Sequence, residues 1–136
     1  MVNFNVSFSE LKKPMIWLHY ALGTAGIFAI FYYLMFSLDI LTASSPIWAF
    51  GIAFFISLVV VDRIIHKVLF NAPFSELQNP ILVLHYTLDT IGIVAIWAWL
   101  TGNGYLNGLT IPVEGIIFLV IYVLIDRTSH GILELK

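Results

Sequence analysis

All four histidines of the chain belong to short sequence phrases that occur twice. His19 and His85 stand in two copies of Leu-His-Tyr, and His66 and His130 end two copies of Asp-Arg-x-x-His. The i, i+4 spacing of aspartate and histidine in the second phrase places both side chains on one face of a helix. Imidazole with carboxylate suits zinc, copper, iron or nickel, so these phrases predict metal-binding chemistry.

One position shortly after Leu-His-Tyr breaks the symmetry between the two copies. Gly23 of the first copy is replaced by Asp89, which follows His85 by one helical turn. A carboxylate inside an apolar helix is costly and normally faces a partner, water or an ion. We therefore predict that an ion, copper or zinc, prefers the second copy. The predicted metal ligands are His85, Asp89, Asp126 and His130, and a weaker related layer consists of His19, Asp62 and His66.

The elements that position these residues are long apolar segments. Of the 136 residues, 60% are hydrophobic and 10% are charged, and the mean hydropathy is +0.97. A membrane-spanning helix needs about 20 predominantly apolar residues. The sequence predicts an all-α integral membrane protein with a single transmembrane domain over residues 1–136. The predicted helices are Pro14–Leu38, Pro46–Leu69, Pro80–Leu100 and Thr110–Leu133.

The duplicated phrases divide the chain into two copies of a two-helix unit. FSELKKPMIWLHY, from Phe8, returns as FSELQNPILVLHY, from Phe74, and VVVDRIIHKVL returns as VLIDRTSHGIL. Both copies enter the membrane in the same orientation, because each crosses it twice. We predict a four-helix transmembrane bundle built from two parallel repeats with pseudo-two-fold symmetry. The first copy covers about residues 7–70 and the second about 73–134.

The helix starts carry capping signals. Pro14 and Pro80 suit the first helical turn, and Asn79 is a good N-cap for the third helix. Ser7 with Glu10 predicts a capping box that opens a short helical turn before the first span.

Hydrogen bonding explains the same polar residues without a metal. In that alternative each Leu-His-Tyr histidine locks its helix to the next aspartate. The Asp-Arg pairs then act as interfacial ion pairs, with Arg63 and Arg127 extending to the lipid headgroups.

Two further alternatives use the same residues differently. In a haem b electron-transfer protein, His19 and His85 are the axial ligands, and Gly23 with a second glycine at position 26 leaves room for the flat ring. In a small proton or ion transporter, Asp89 and Glu114 are stations along the path.

The Asp-x-x-x-His spacing resembles the copper-binding motif of membrane copper monooxygenases, the family of methane and ammonia monooxygenases. The resemblance covers Asp62 with His66 and Asp126 with His130, and the further histidine of that family's motif is missing. In size and number of spans, the chain is similar to a small accessory membrane subunit of archaeal ammonia monooxygenase. The resemblance implies a non-catalytic subunit that stabilises a multi-subunit membrane complex.

Other sequence features agree with an accessory role. The chain has no P-loop, no Gly-x-Ser-x-Gly and no His-Glu-x-x-His, so a catalytic role of its own is not expected. The expected partners are the lipid bilayer and either other membrane subunits or further copies of the chain. Nucleic acid is not expected, because the sequence has no basic stripe.

The cations predict the orientation in the cell membrane. All six lie toward one end of the predicted helices, whereas Asp39 and Glu114 lie toward the other. By the positive-inside rule, both termini of this multi-pass protein are cytoplasmic. The six are Lys12, Lys13, Arg63, Lys67, Arg127 and Lys136.

Single cysteines introduced into this cysteine-free chain test the orientation. We expect Val2→Cys to react with a membrane-impermeant maleimide only after the cells are opened, because the N-terminus is cytoplasmic. Asn103→Cys, in the predicted external loop, should react in intact cells. Labelling of Val2→Cys from outside would contradict the predicted orientation.

Overall fold

The regular structure of the chain is helical. The computed structural model describes residues 8–42 and 44–133, and it has no strand in those ranges. Each main helix, α1 with its extension included, is long and apolar enough to cross a membrane. The all-α four-helix prediction is therefore confirmed. The helices are α1 (Pro14–Tyr32, extended by a π-helical turn, Tyr33–Ser37), α2 (Ile47–Phe70), α3 (Pro80–Gly102) and α4 (Ile111–Leu133).

The two helices that carry Leu-His-Tyr begin as the sequence predicts. Pro14 and Pro80 each occupy the first turn, where the missing N–H costs no helical hydrogen bond. The side chain of Asn79 accepts a hydrogen bond from the backbone N–H of Ile81 at 3.0 Å, which confirms the predicted cap. The predicted capping box includes Ser7, which lies outside the described residues.

Short 3₁₀ turns precede both of these helices. The turn Glu10–Lys12 leads into α1, and the turn Phe74–Gln78 leads into α3. Each turn carries a glutamate, Glu10 or Glu76, at the end of the bundle where the chain's arginines lie. These turns therefore place acidic side chains at the same end of the bundle as the arginines.

Each helix packs against two neighbours, which makes a ring of four. Helix α1 contacts α2 and α4, and α3 contacts the same two helices. Glycine allows close approach in matching places: an added Cβ at Gly26 would lie 2.9 Å from Cγ1 of Val61. At Gly92 the added Cβ would lie 3.0 Å from Cγ2 of Ile125. These contacts correspond pairwise between the two copies, while the symmetry axis itself stays a prediction.

Most of the helix surface faces outward. Between 17% and 39% of each span is buried inside the bundle. Large apolar side chains such as Ile56, Ile91 and Ile116 are exposed on the outer surface. Such a surface is suited to lipid, which confirms the class of multi-pass membrane protein.

Candidate metal centres

The first cluster joins α1 to α2 and consists of His19, Asp62 and His66. Nε2 of His19 lies 2.5 Å from Oδ1 of Asp62. Nδ1 of His66 lies 3.3 Å from Oδ2 of the same carboxylate. The ring of His66 is oriented by the backbone carbonyl of Asp62, at 2.9 Å from Nδ1. One ligand atom from each of the three residues lies within 4.8 Å of the other two, a spacing that allows a shared ion.

The second cluster joins α3 to α4 and has as its core His85, Asp126 and His130. Nε2 of His85 lies 3.0 Å from Oδ1 of Asp126, and Nε2 of His130 lies 3.5 Å from Oδ2. Ligand atoms of these three residues also lie within 4.8 Å of one another. The structure thus brings the sequence-predicted histidines and aspartates together in two sets.

Asp89 lies beside the second cluster and is fully buried. Its Oδ2 is 3.3 Å from Nε2 of His85. Among the described residues, this Oδ2 is one of three buried side-chain atoms without a hydrogen-bond partner, and Nδ1 of His130 is another. Asp89 therefore offers the second cluster a buried carboxyl oxygen that has no hydrogen-bond partner in the described part of the chain.

Ser129 is a member of the second cluster that sequence reasoning missed. Its Oγ donates to Oδ1 of Asp89 at 2.6 Å and lies 2.8 Å from Nδ1 of His85. Comparison of the two copies could have identified Ser129, because it replaces Ile65 at the matching position of Asp-Arg-Ile-Ile-His. A polar residue that replaces an apolar one beside an inserted aspartate points to a shared role.

The aspartate of the first cluster also bonds to a tyrosine of the second copy. The hydroxyl of Tyr86 donates to Oδ2 of Asp62 and accepts from Nε of Arg63 at 2.6 Å. Nη1 of Arg63 then reaches Glu76 in the 3₁₀ turn before α3, at 2.9 Å. Four side chains from α2, α3 and this turn therefore form one chain of charge-assisted hydrogen bonds.

The second cluster has the matching chain. Tyr20 donates to Oδ2 of Asp126 and accepts from Nε of Arg127 at 2.6 Å. Nη1 of Arg127 lies 2.7 Å from Glu10 in the turn before α1. These tyrosines and glutamates were absent from the predicted site, although each stands at a duplicated position of the sequence.

The expectation that both arginines extend to the lipid headgroups is wrong. Arg63 and Arg127 are only 5% and 3% exposed, because each guanidinium is directed at a tyrosine of the neighbouring helix. The guanidinium carbon lies 5.7 Å from the ring centre of that tyrosine in both cases. Both arginines therefore neutralise carboxylates inside the bundle.

The room that a haem would need beside the glycines of α1 is filled. An added Cβ at Gly23 would lie 3.1 Å from Cε2 of Tyr122, and Gly26 packs on Val61. His19 is itself bonded to Asp62. The expectation of space for a flat ring is therefore wrong.

Comparison of the chain with protein-family models, with curated proteins and with solved structures gave no match. The geometry and charge of the two clusters therefore carry the functional interpretation.

Replacing one of the bridging tyrosines tests how much these networks hold the bundle together. We expect Tyr86→Phe to lower the free energy of unfolding by about 1–3 kcal/mol, because Asp62 and Arg63 are left buried without their shared partner. Circular dichroism during denaturant unfolding in detergent measures the change. The control is Tyr105→Phe in the loop before α4, where the side chain is 60% exposed. Equal stability of the two variants would contradict the bridging role.

Proposed function

We propose that this chain is an integral membrane metal-binding protein. It holds a transition-metal ion of the zinc or copper type at the second cluster and binds a further ion more weakly at the first. The observation that carries the proposal is the convergence of two histidines and an aspartate, with ligand atoms within 4.8 Å, in each half of the chain.

The distances between ligand atoms support an ion of this size. In a tetrahedral site with bonds of about 2.0 Å, ligand atoms lie about 3.3 Å apart. Nε2 of His85 lies 3.0 Å from Asp126 and 3.3 Å from Asp89. Both distances are close to the separation of two ligand atoms on one tetrahedral ion.

The charges support a cation as well. In the part of the chain that the structure describes, the carboxyl groups of Asp126, Asp89 and Glu10 outnumber the guanidinium of Arg127 in the second cluster and its attached chain. Uncompensated negative charge is costly inside a membrane, and a bound metal ion compensates it directly. Neutral imidazole with carboxylate is a ligand set that suits zinc and copper.

Metal content after purification tests this proposal. The wild-type protein, purified without chelator and incubated with Zn²⁺ or Cu²⁺, should retain metal by elemental analysis. His85→Ala and His130→Ala should each lower retention at the second cluster at least about tenfold, since removing even a supporting residue costs 10–100-fold in affinity.

Two controls make this test specific. Asp39→Ala changes an exposed loop carboxylate and should retain as much metal as wild type. His19→Ala should reduce only the weaker fraction. Absence of metal from the wild type after incubation would refute the proposal and leave the clusters as hydrogen-bonded clamps.

We further propose that the chain works as a non-catalytic subunit of a multi-subunit membrane complex. The resemblance in Asp-x-x-x-His spacing favours a copper monooxygenase of the ammonia or methane type. In support, the end of the bundle away from the clusters exposes large aromatic side chains, including Phe36 and Trp48, at 68% and 67%. An open apolar groove of about 460 Å³ lies beside Trp48, between α1 and α2. Both features suit a neighbouring membrane helix.

Purification from native membranes in a mild detergent tests the subunit role. The tagged chain should elute with other membrane proteins in a complex much larger than its own mass of 15.4 kDa. Trp48→Ala should reduce recovery of those partners. Val68→Ala, at a 74% exposed site on α2 beyond the clusters, should not. Recovery of the chain as a lone monomer would contradict the proposal.

A further inference from the structure

We infer that the two clusters have different coordination. The second is a closed site with four protein ligands that retains a resident ion. The first is an open site with three protein ligands, whose ion exchanges and keeps one position for a small external ligand. This inference rests on the proposed metal-binding function and adds a division of roles between the two sites.

The fourth ligand that we assign to the second cluster is Asp89, which lies beside the three residues whose ligand atoms are all within 4.8 Å of one another. It is fully buried, and its unpartnered Oδ2 lies 3.3 Å from Nε2 of His85. Ser129 fixes its other oxygen at 2.6 Å and contacts His85 Nδ1 at 2.8 Å. Hydrogen bonds of this kind hold ligands in the orientation that a metal requires.

The first cluster has no counterpart to this ligand among the described residues. Gly23 occupies the position that matches Asp89, and an added Cβ there would lie 3.1 Å from the ring of Tyr122. Ile65 occupies the position that matches Ser129. Three protein ligands leave the fourth position of a tetrahedral ion open, which is the arrangement of exchangeable and catalytic zinc sites.

The charge of each site agrees with this division. Among the described residues of the second cluster and its attached chain, three carboxyl groups face one guanidinium, so a divalent ion balances two negative charges when all three carboxyl groups are ionised. In the first, Asp62 and Glu76 face Arg63, so a divalent ion leaves one positive charge in excess. A small anion at the open position cancels that charge, which favours anion binding at the first cluster only.

The two clusters also differ in how exposed their side chains are at the end of the bundle where Glu10 and Glu76 lie. The side chain of His66 is 25% exposed, whereas that of His130 is 13% exposed. The side chain of Glu76 above the first cluster is 47% exposed, against 22% for the side chain of Glu10 above the second. Ions and small anions therefore reach the first cluster more easily.

Cobalt titration of the chelator-treated protein in detergent tests the inference, because the visible bands of Co²⁺ report its coordination. We expect two classes of site that differ in affinity at least about tenfold, as for loss of one coordinating or orienting group. His130→Ala should remove the tight class, and His66→Ala the weak class. Azide should change the bands of the weak class and leave those of the tight class unchanged.

The variant Asp89→Asn tests the fourth ligand directly. It should weaken the tight class about tenfold or more and make its bands sensitive to azide. Ser129→Ala, which leaves every ligand in place, should produce a smaller shift in the same direction. The matched control Asp39→Asn, in an exposed loop, should behave as wild type.

The outcomes separate this inference from the function on which it rests. Two sites of equal affinity, or an azide response at both wild-type sites or at neither, would overturn the open and closed assignment while metal binding stands. Failure of the wild-type protein to bind Co²⁺ and Zn²⁺ at all would overturn the proposed function with it.

Discussion

Two carboxyl groups, those of Asp62 and Asp126, lie inside an apolar bundle, and the rest of the structure depends on the polar partners that they have there. Each is 5% exposed or less, so its hydrogen bonds must come from protein. A histidine and an arginine of its own copy contact it, and a tyrosine of the other copy donates to it. Because removing one partner leaves charge unpaired in a medium of low polarity, the network positions all four helices together.

The adjacent residues of Leu-His-Tyr act on different neighbours. His19 bonds to Asp62 on α2, whereas Tyr20, the next residue, bonds to Asp126 on α4. Successive helical residues point about 100° apart, so one short phrase can contact both neighbours of its helix in a ring of four. The matching phrase on α3 makes the reciprocal contacts. The two clusters are therefore joined through single peptide units of α1 and α3.

Two of the differences between the copies lie where the clusters differ in chemistry. Gly23 corresponds to Asp89, and Tyr122 fills the space that a side chain at Gly23 would occupy. Ile65 corresponds to Ser129, which bonds to the additional carboxylate. The supporting tyrosines, arginines and glutamates are the same in both copies. A common frame thus holds two clusters that differ in these two side chains.

The sequence by itself determined the spans and the candidate ligands. Span length follows from apolar composition and the fixed rise of a helix, so the predicted bounds lie within two residues of those in the structure. The pairs Asp62–His66, His85–Asp89 and Asp126–His130 were predicted to share a helix face because their spacing is i, i+4. Only the tertiary structure decided which neighbour each face meets. In the folded bundle Arg63 and Arg127 are buried, and Tyr20 bonds to Asp126, which is distant in sequence. Tyr122 fills the space beside Gly23. Helical periodicity gives the direction of a side chain from its own axis, whereas its partner depends on how separate helices pack.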